Sequence, residues 1–310
     1  MKRFFSNILL LIFCSSCTYD YFEDETNYRL YIPQMHDKSI SDFHVSFFDM
    51  SGNRVFEKEY SYPFDGDMFI EQGIIRAKLL PGEYRISCFA NSRNKKNEVL
   101  FNKALSINTS QVWLSAIKPA VFNTAPELRT VLNKETSAPF IGQPMKIDTI
   151  DISEETAHVG QIIYQFKKLP VSVDRIEIAT VNLSTGLSFD GIFLNASNTD
   201  CVFQDLKRES LTNNNGLLSV TSFYFPSALS DLRTTEPKNL GVQTRFFDNK
   251  NNLIGEYLNP LPKASDMNGN QVDPVLLSGK KIWITFDGFI VADIVLSDWG
   301  DIIGGEITPM

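Results

Sequence analysis

The sequence predicts an all-β protein built from two β-sandwich domains in tandem. Short runs of alternating apolar and polar residues recur along most of the chain, and turn residues separate them. Helical periodicity is nearly absent, and the 24 phenylalanines among 310 residues suit strands better than helices. Many short strands at regular spacing are typical of β-sandwiches, and the length allows two domains of ordinary size.

The first domain is expected over residues 28–145. Its clearest strand alternates apolar and polar residues from Phe43 to Phe47. Further strands are predicted at residues 55–60, 74–79, 83–90, 99–107 and 111–117. Residues 119–144 have mixed signals, and we interpret them as a long connection in which Pro126 could begin a short helix.

The second domain is expected over residues 146–310. Its strands are predicted at residues 146–152, 161–166, 171–181, 217–225, 242–247, 253–257, 281–286 and 289–295. Asp287-Gly288 is a strong hairpin signal between the last two of them. Residues 182–198 are rich in Ser, Asn and Gly, which indicates a loop.

Residues 46–55 and 245–254 have similar sequences, SFFDMSGNRV and RFFDNKNNLI. Each pattern predicts a strand, a turn that begins with Asp, and a second strand. The similarity fits a duplicated domain. It fits two independent hairpins equally well, because turns of one type select the same residues.

The first 16 residues are expected to form a lipoprotein signal peptide. Lys2 and Arg3 precede an apolar run of about ten residues, which is too short to span a membrane. The serines before Cys17 resemble a bacterial lipobox, which implies cleavage after Ser16 and acylation of Cys17. The alternative is an ordinary secretory signal with an incidental cysteine. Residues 17–27 follow as an acidic tether.

Charge and cysteine count exclude two classes of protein. The formal net charge is −8, and loss of Lys2 and Arg3 with the signal makes it −10. An acidic chain is a poor partner for nucleic acid, so nucleic-acid binding is excluded. Cys88 and Cys201 lie one in each half, which excludes a disulfide scaffold. The two can pack as small apolar residues or form a single bridge.

The sequence contains no pattern typical of an enzyme, and neither a cofactor nor a metal is predicted. The three histidines have no partner at metal-ligand spacing, and no motif for a serine nucleophile or a phosphate loop occurs. His44 alternates within a strand and is expected to face solvent. Asp266 begins a loop that matches the first ligand positions of an EF-hand, but the match fails at Leu277, which favours a solvated loop over a calcium site.

Three short stretches resemble the FimB-like fimbrial anchor lipoproteins of Bacteroidia, the minor subunits of type V pili. They are LPGEY at residues 80–84, FAN at residues 89–91 and WGDIIGGEI at residues 299–307. The resemblance implies two transthyretin-like β-sandwich domains, no enzymatic activity and a place in the outer membrane at the base of a fimbrium, facing the cell surface. The implied partners are fimbrillin shaft subunits and, through the N-terminal lipid, the outer membrane.

Two features after the last strong strand are candidates for contact with a partner. Trp299 can cap the core or stack on a partner. The tail, residues 302–310, can bind a shaft subunit by strand addition or form the last core strand. The candidate contact residues of the tail are Ile302, Ile303, Glu306 and Ile307.

A second class of function stays open beside the fimbrial anchor, namely a surface glycan-binding lipoprotein of a nutrient-uptake system. Such proteins hold sugars on exposed aromatic side chains. Trp113 and Trp283 lie within strand patterns and are assigned to the core, which leaves Trp299 as the tryptophan to consider for that role.

Overall fold

The computed structural model of the protein describes residues 26–37, 40–61, 72–93, 97–102, 104–153, 158–195, 200–214, 216–228 and 236–299. None of these residues lies in an α-helix, so no helix among them could cross a membrane. Short 3-10 helices occur at Pro33–Asp37 and Arg208–Ser210. Strands dominate the described chain, and the predicted all-β class is confirmed.

The strands up to residue 167 are β1 (Tyr28–Tyr31), β2 (Asp42–Asp49), β3 (Arg54–Ser61), β4 (Ile74–Ala77), β5 (Gly82–Ala90), β6 (Val99–Asn102), β7 (Gln111–Leu114), β8 (Ala116–Lys118), β9 (Val121–Phe122), β10 (Arg129–Ala138), β11 (Lys146–Thr149) and β12 (Gly160–Lys167). Those that follow are β13 (Arg175–Val181), β14 (Ser184–Ser188), β15 (Phe193–Asn195), β16 (Cys201–Lys207), β17 (Thr212–Asn214), β18 (Leu217–Tyr224), β19 (Gly241–Phe247), β20 (Leu253–Tyr257), β21 (Ala264–Ser265), β22 (Gln271–Val272), β23 (Lys280–Asp287) and β24 (Ile290–Asp298).

The strands form five sheets. Sheet 1 has the order β11-β1-β4, sheet 2 the order β10-β5-β2-β3, and sheet 3 the order β15-β14-β7-β6. Sheet 4 has the order β20-β19-β13-β16-β9-β8, and sheet 5 the order β17-β18-β12-β23-β24-β21-β22. Sheets 1 and 2, which we call the first sandwich, enclose one core, in which Tyr28 meets Phe47 edge-on with the ring centroids 5.2 Å apart. Sheets 4 and 5, which we call the second sandwich, enclose another, in which the ring centroids of Phe166 and Phe246 are 6.2 Å apart.

The core of sheets 1 and 2 does not end at residue 145, where the first domain was expected to end. Strand β11 pairs in parallel with β1, from Tyr28 beside Lys146 to Tyr31 beside Thr149. Ile150 and Ile152 are buried in the same core. The apolar residues predicted to begin the second domain therefore complete the first sandwich instead.

Sheet 3 takes its strands from both halves of the chain. Strands β6 and β7 come from the expected first domain, whereas β14 and β15 come from residues 182–198, which we interpreted as a loop. The loop interpretation was wrong for residues 184–188 and 193–195, because polar residues such as Ser184 and Ser188 are buried there. Ser188 is satisfied locally, since its hydroxyl donates to the carbonyl of Ile192 at 3.0 Å.

The interpretation of residues 119–144 as a connection was also wrong. These residues contain β9 and the ten-residue strand β10, which pairs with β5 along the edge of sheet 2. Pro126 begins no helix; its carbonyl instead accepts from the backbone N–H of Leu128 at 2.7 Å. Alternation of apolar and polar residues is hard to recognise in β10, because most of its residues are polar and only Asn133, Glu135 and Ser137 are exposed on this edge strand.

One type of turn explains the similarity between residues 46–55 and 245–254. The Asp248 carboxylate accepts from the backbone N–H of Asn252 at 2.8 Å and from its side-chain amide at 2.9 Å. Asp49 makes the same pair of bonds with Asn53 at 2.8 and 3.2 Å. The turn recurs in residues 266–270, outside the repeated segment. Turn chemistry alone therefore accounts for the similarity, and a duplication is not required to explain it.

Candidate interaction site

Of the residues predicted to carry the lipid or to contact a partner, only Trp299 lies in the described chain. Ser16, Cys17, Ile302, Ile303, Glu306 and Ile307 lie outside the described residues. Trp299 is half-buried, and its ring stacks on Phe223 of β18 with the centroids 5.8 Å apart and the planes at 24°. Of the two predicted alternatives for Trp299, the structure shows the one in which the ring packs against the core. Phe223, on which it stacks, also lines a groove.

The groove lies between sheets 4 and 5 and has a volume of about 610 Å³. It runs between β16 and β18. Their apolar lining residues are Phe203, Leu206, Val220 and Phe223. The polar lining residues of the same strands are Gln204, Asp205, Thr221 and Ser222, and the segments around Asn97, Ile117 and Thr124 complete the lining.

The two strands that border the groove are only partly paired on the groove side. Strand β16 pairs with β13 throughout but with β9 only at Cys201 and Val202. Strand β18 pairs with β17 only over residues 217–219, and Phe223 forms one bridge to Ala125. Among the described residues, the edges at 203–206 and 220–222 therefore have a strand neighbour on one side only. Such edges are templates for another strand.

A chain of polar side chains connects the groove to the interior of the sandwich. The Ser222 hydroxyl donates to the side-chain oxygen of Gln204 at 2.7 Å, and the Gln204 amide donates to the hydroxyl of Tyr224. Tyr224 lies 3.4 Å from Tyr164, whose hydroxyl bonds with Thr180 at 2.8 Å. Since buried polar groups are costly unless they are bonded, this chain fixes the position of Gln204 on the groove wall.

Burial determines how these tyrosines titrate. Desolvation raises the pKa of Tyr164 to about 12 and raises that of Tyr224 well above its ordinary value of 10.0. Loss of either proton would leave a phenolate in an apolar core. The hydroxyls therefore stay protonated at physiological pH and act as hydrogen-bonding groups of the wall, not as acids.

His44 was expected to face solvent, and this prediction was wrong. Its side chain is buried between sheets 2 and 3, where the ring stacks on Phe101 of β6 at 4.0 Å. One ring nitrogen lies 3.2 Å from the Ser92 hydroxyl, and the other lies 3.3 Å from a carboxylate oxygen of Glu59. Alternation placed His44 correctly on the face opposite Phe43, but it could not show that sheet 3 covers that face.

Asp42 binds the other members of the cluster around His44 through hydrogen bonds. Its buried carboxylate accepts from the backbone N–H and the hydroxyl of Ser92 and from the Ser41 hydroxyl. Burial opposes the charge, but the bonds from His44, Ser92 and Ser41 outweigh it and hold the pKa below the ordinary 3.8. The serine hydroxyl is buried and already bonded, so the Ser-His-Asp combination presents no accessible nucleophile.

Asp42→Ala is expected to lower the free energy of unfolding by about 2–3 kcal/mol at pH 7, because it leaves buried donors of Ser92 without an acceptor. The folded-state pKa lies below the unfolded value of 3.8, so the carboxylate stabilises the fold above pH 3.8 and this contribution is lost as the pH falls through the lower folded value. Urea unfolding of both proteins between pH 7 and pH 2 should show the difference shrink towards acid. A difference that is constant with pH would contradict this role.

The remaining predicted sites have plain structural roles. Asp266 uses its carboxylate to accept bonds within its own turn, as described above. No group of acids, histidines and cysteines in the described chain is arranged to hold a metal ion. Cys88 and Cys201 are free thiols, and burial raises the pKa of each. Trp283 is in the core as predicted, whereas Trp113 is half-buried on the surface of sheet 3.

No protein-family model and no curated protein matches the chain. Among solved structures, a candidate adhesin from Bacteroides ovatus has a TM-score of 0.51 at 10% identity, over 74% of this chain and 81% of that one. A candidate polysaccharide-binding protein from Bacteroides thetaiotaomicron has a TM-score of 0.50 at 9% identity, over 88% and 96%. The chain therefore has the fold of these Bacteroides proteins.

The fimbrial anchor protein Mfa2 from Porphyromonas gingivalis is a weaker match, with a TM-score of 0.44 at 10% identity over 88% of this chain and 97% of that one. The resemblance predicted from residues 80–91 and 299–307 is confirmed at the level of the fold, which is that of adhesin-type proteins from the same bacterial group.

Proposed function

We propose that this protein is an outer-membrane lipoprotein that is acylated at Cys17 and anchors the base of a fimbrium through strand-mediated contacts with shaft subunits. The single observation that supports it most is the groove between β16 and β18, whose edges at residues 203–206 and 220–222 lack a neighbour on the groove side among the described residues. An incoming strand would gain main-chain hydrogen bonds from both edges, and its alternate side chains would contact Phe203 and Val220.

Trp299 relates this groove to the predicted tail. Its ring stacks on Phe223 in the groove lining, and residues 302–310 begin three positions further along the chain. We propose that the tail takes part in the contact beside the groove. The tail residues assigned to that contact are Ile302, Ile303, Glu306 and Ile307.

Replacing Cys17 by alanine is expected to release the protein and its shaft subunits into the medium. Two or three acyl chains hold a protein firmly in the membrane, and the variant has no acyl chain. The measurement is fractionation of cells followed by mass spectrometry of the proteins that co-purify. Cys201→Ala is the matched control, since it also removes a free thiol and leaves the acylation site intact. Retention of the Cys17→Ala protein in the outer membrane would refute the lipid anchor.

Val220→Asp is expected to reduce the recovery of co-purified shaft subunits about tenfold, because it puts a charge between the two strand edges. Val171→Asp is the matched control, since Val171 is 91% exposed and lies between β12 and β13, outside the groove lining. Both variants should stay in the outer membrane. Equal recovery with both variants would show that the groove does not receive the partner.

The alternative is a surface glycan-binding lipoprotein. The groove wall also carries the amide and hydroxyl groups of Asn97, Gln204 and Ser222 next to Phe223, which is a surface suited to a sugar. If a transporter and glycan-binding lipoproteins co-purify in place of shaft subunits, and oligosaccharides bind with an affinity that Trp299→Ala weakens, this alternative replaces the anchor.

A further inference from the structure

Three large apolar side chains are exposed together at one end of the first sandwich. Leu80 is 80% exposed, Phe140 is 65% exposed and Ile141 is 56% exposed. Leu80 precedes the turn into β5, and the other two lie in the turn after β10, where the N–H of Gln143 donates to the carbonyl of Phe140 at 3.1 Å. We call these three residues the apolar end.

The two turns of the apolar end are held side by side by one buried residue. The Asn27 side-chain amide donates to the carbonyl of Leu79 at 2.8 Å and to that of Pro139 at 2.6 Å. Its side-chain oxygen accepts from the N–H of Leu79 at 2.9 Å. Tyr84 reinforces the first turn by donating to the carbonyl of Leu80 at 2.5 Å. The exposed side chains are thus presented from a fixed backbone.

The residue that holds the apolar end is also the last residue of the predicted tether. Only nine residues separate Asn27 from Cys17, so the two lie at most about 35 Å apart when the chain is fully extended. A lipid at Cys17 would therefore keep the apolar end close to the bilayer.

We propose that the apolar end is a membrane-contact surface, which inserts Leu80, Phe140 and Ile141 into the interface of the bilayer that holds the lipid anchor. The proposal rests on the lipid attachment proposed for Cys17. Exposed apolar patches of this kind mark contact surfaces, and the bilayer is the apolar phase that the tether brings within reach. Because the chain is acidic overall, the contact depends on apolar side chains and not on charge.

Contact at this end would fix the orientation of the molecule. Asn27 fastens the first sandwich to the tether, whereas the groove between β16 and β18 lies in the second sandwich. With three apolar side chains in the bilayer, the first sandwich could no longer rotate freely about its tether. The groove would then be presented in a constant direction to its partner.

The test is photo-crosslinking of the full-length lipoprotein, reconstituted in phosphatidylethanolamine vesicles, with p-benzoylphenylalanine in place of Phe140. A second protein carries the same group in place of Leu80, and the control carries it in place of Val171, which is 91% exposed in the second sandwich. Lipid adducts detected by mass spectrometry are expected to be at least about fivefold more abundant at positions 140 and 80 than at 171.

Flotation of the vesicles separates the two ways in which the proposal can fail. If the protein does not float with the vesicles, the lipid anchor of the proposed function is wrong. If it floats and positions 140 and 80 give no more lipid adduct than position 171, the membrane-contact surface is wrong. Adducts to the protein's own residues 18–25, or to another protein when native outer membranes are irradiated, would also overturn it.

Discussion

Phe189→Ala is expected to lower the free energy of unfolding by about 3–5 kcal/mol, which is the range for deleting a buried phenylalanine. Phe189 is 2% exposed and lies at the turn between β14 and β15. Its ring is 4.6 Å from Phe89 of sheet 2 and 6.3 Å from Phe101 of sheet 3. Its carbonyl also accepts from the Ser87 hydroxyl of sheet 2 at 2.8 Å. The variant therefore opens a cavity where the two sheets meet.

The loss of stability should be greater in sheet 2 than in sheets 4 and 5. Amide exchange of β2 and β5 is expected to accelerate more than that of β13 and β23, because the ring contacts of Phe189 are with Phe48 and Phe89 of sheet 2 and with Phe101 of sheet 3. Ile192→Ala, in the same turn but 61% exposed, is the matched control and should change stability by less than about 0.5 kcal/mol. Equal effects of the two variants would contradict this packing.

Phe246→Ala is expected to cost about the same, 3–5 kcal/mol, and to act where sheets 4 and 5 pack together. Phe246 of β19 is fully buried, with ring centroids 6.2 Å from Phe166, 6.1 Å from Phe286 and 4.9 Å from Phe289. It therefore joins sheet 4 to sheet 5 through several aromatic contacts at once. Thermal and urea unfolding of the purified protein measure the loss.

Leu253→Ala is the control for Phe246, because Leu253 lies on the neighbouring strand β20 and is 50% exposed. The Phe246 variant should also reduce the binding of a partner in the groove. Strand β19, which carries Phe246, pairs with β13, and β13 in turn pairs with β16 of the groove wall. A Phe246→Ala protein that unfolds like the control would show that this ring is not part of the packed core.

Much of the fold could be predicted from local patterns. Alternation from Phe43 to Phe47 and the Asp287-Gly288 turn identified β2 and the hairpin of β23 and β24. Strand pairing could not be predicted in the same way. That β11 joins β1, and that β14 joins β7, depends on contacts between residues far apart in sequence, about which periodicity says nothing.

The candidate site was predicted only in part. Trp299 was singled out because it is a large aromatic residue after the last strong strand, and it does lie against the groove lining. The groove itself was missed, because β16 carries the polar residues Gln204 and Asp205 and shows little alternation. Its polar side chains have partners that only the folded sandwich supplies, such as Ser222 and Tyr224.

The mixed origin of sheet 3 also affects how the chain can fold while it is made. A chain that is synthesised from its N-terminus completes β6 and β7 long before β14, so Trp113 waits for its partner Gly186 while the segment between them is made. During that interval the part of sheet 2 that Phe189 later covers, including Phe48 and Phe89, is open to other chains. The protein is therefore expected to depend on a chaperone that shields this face until residue 195 has been made, and its yield of folded protein should fall most steeply when that chaperone is depleted.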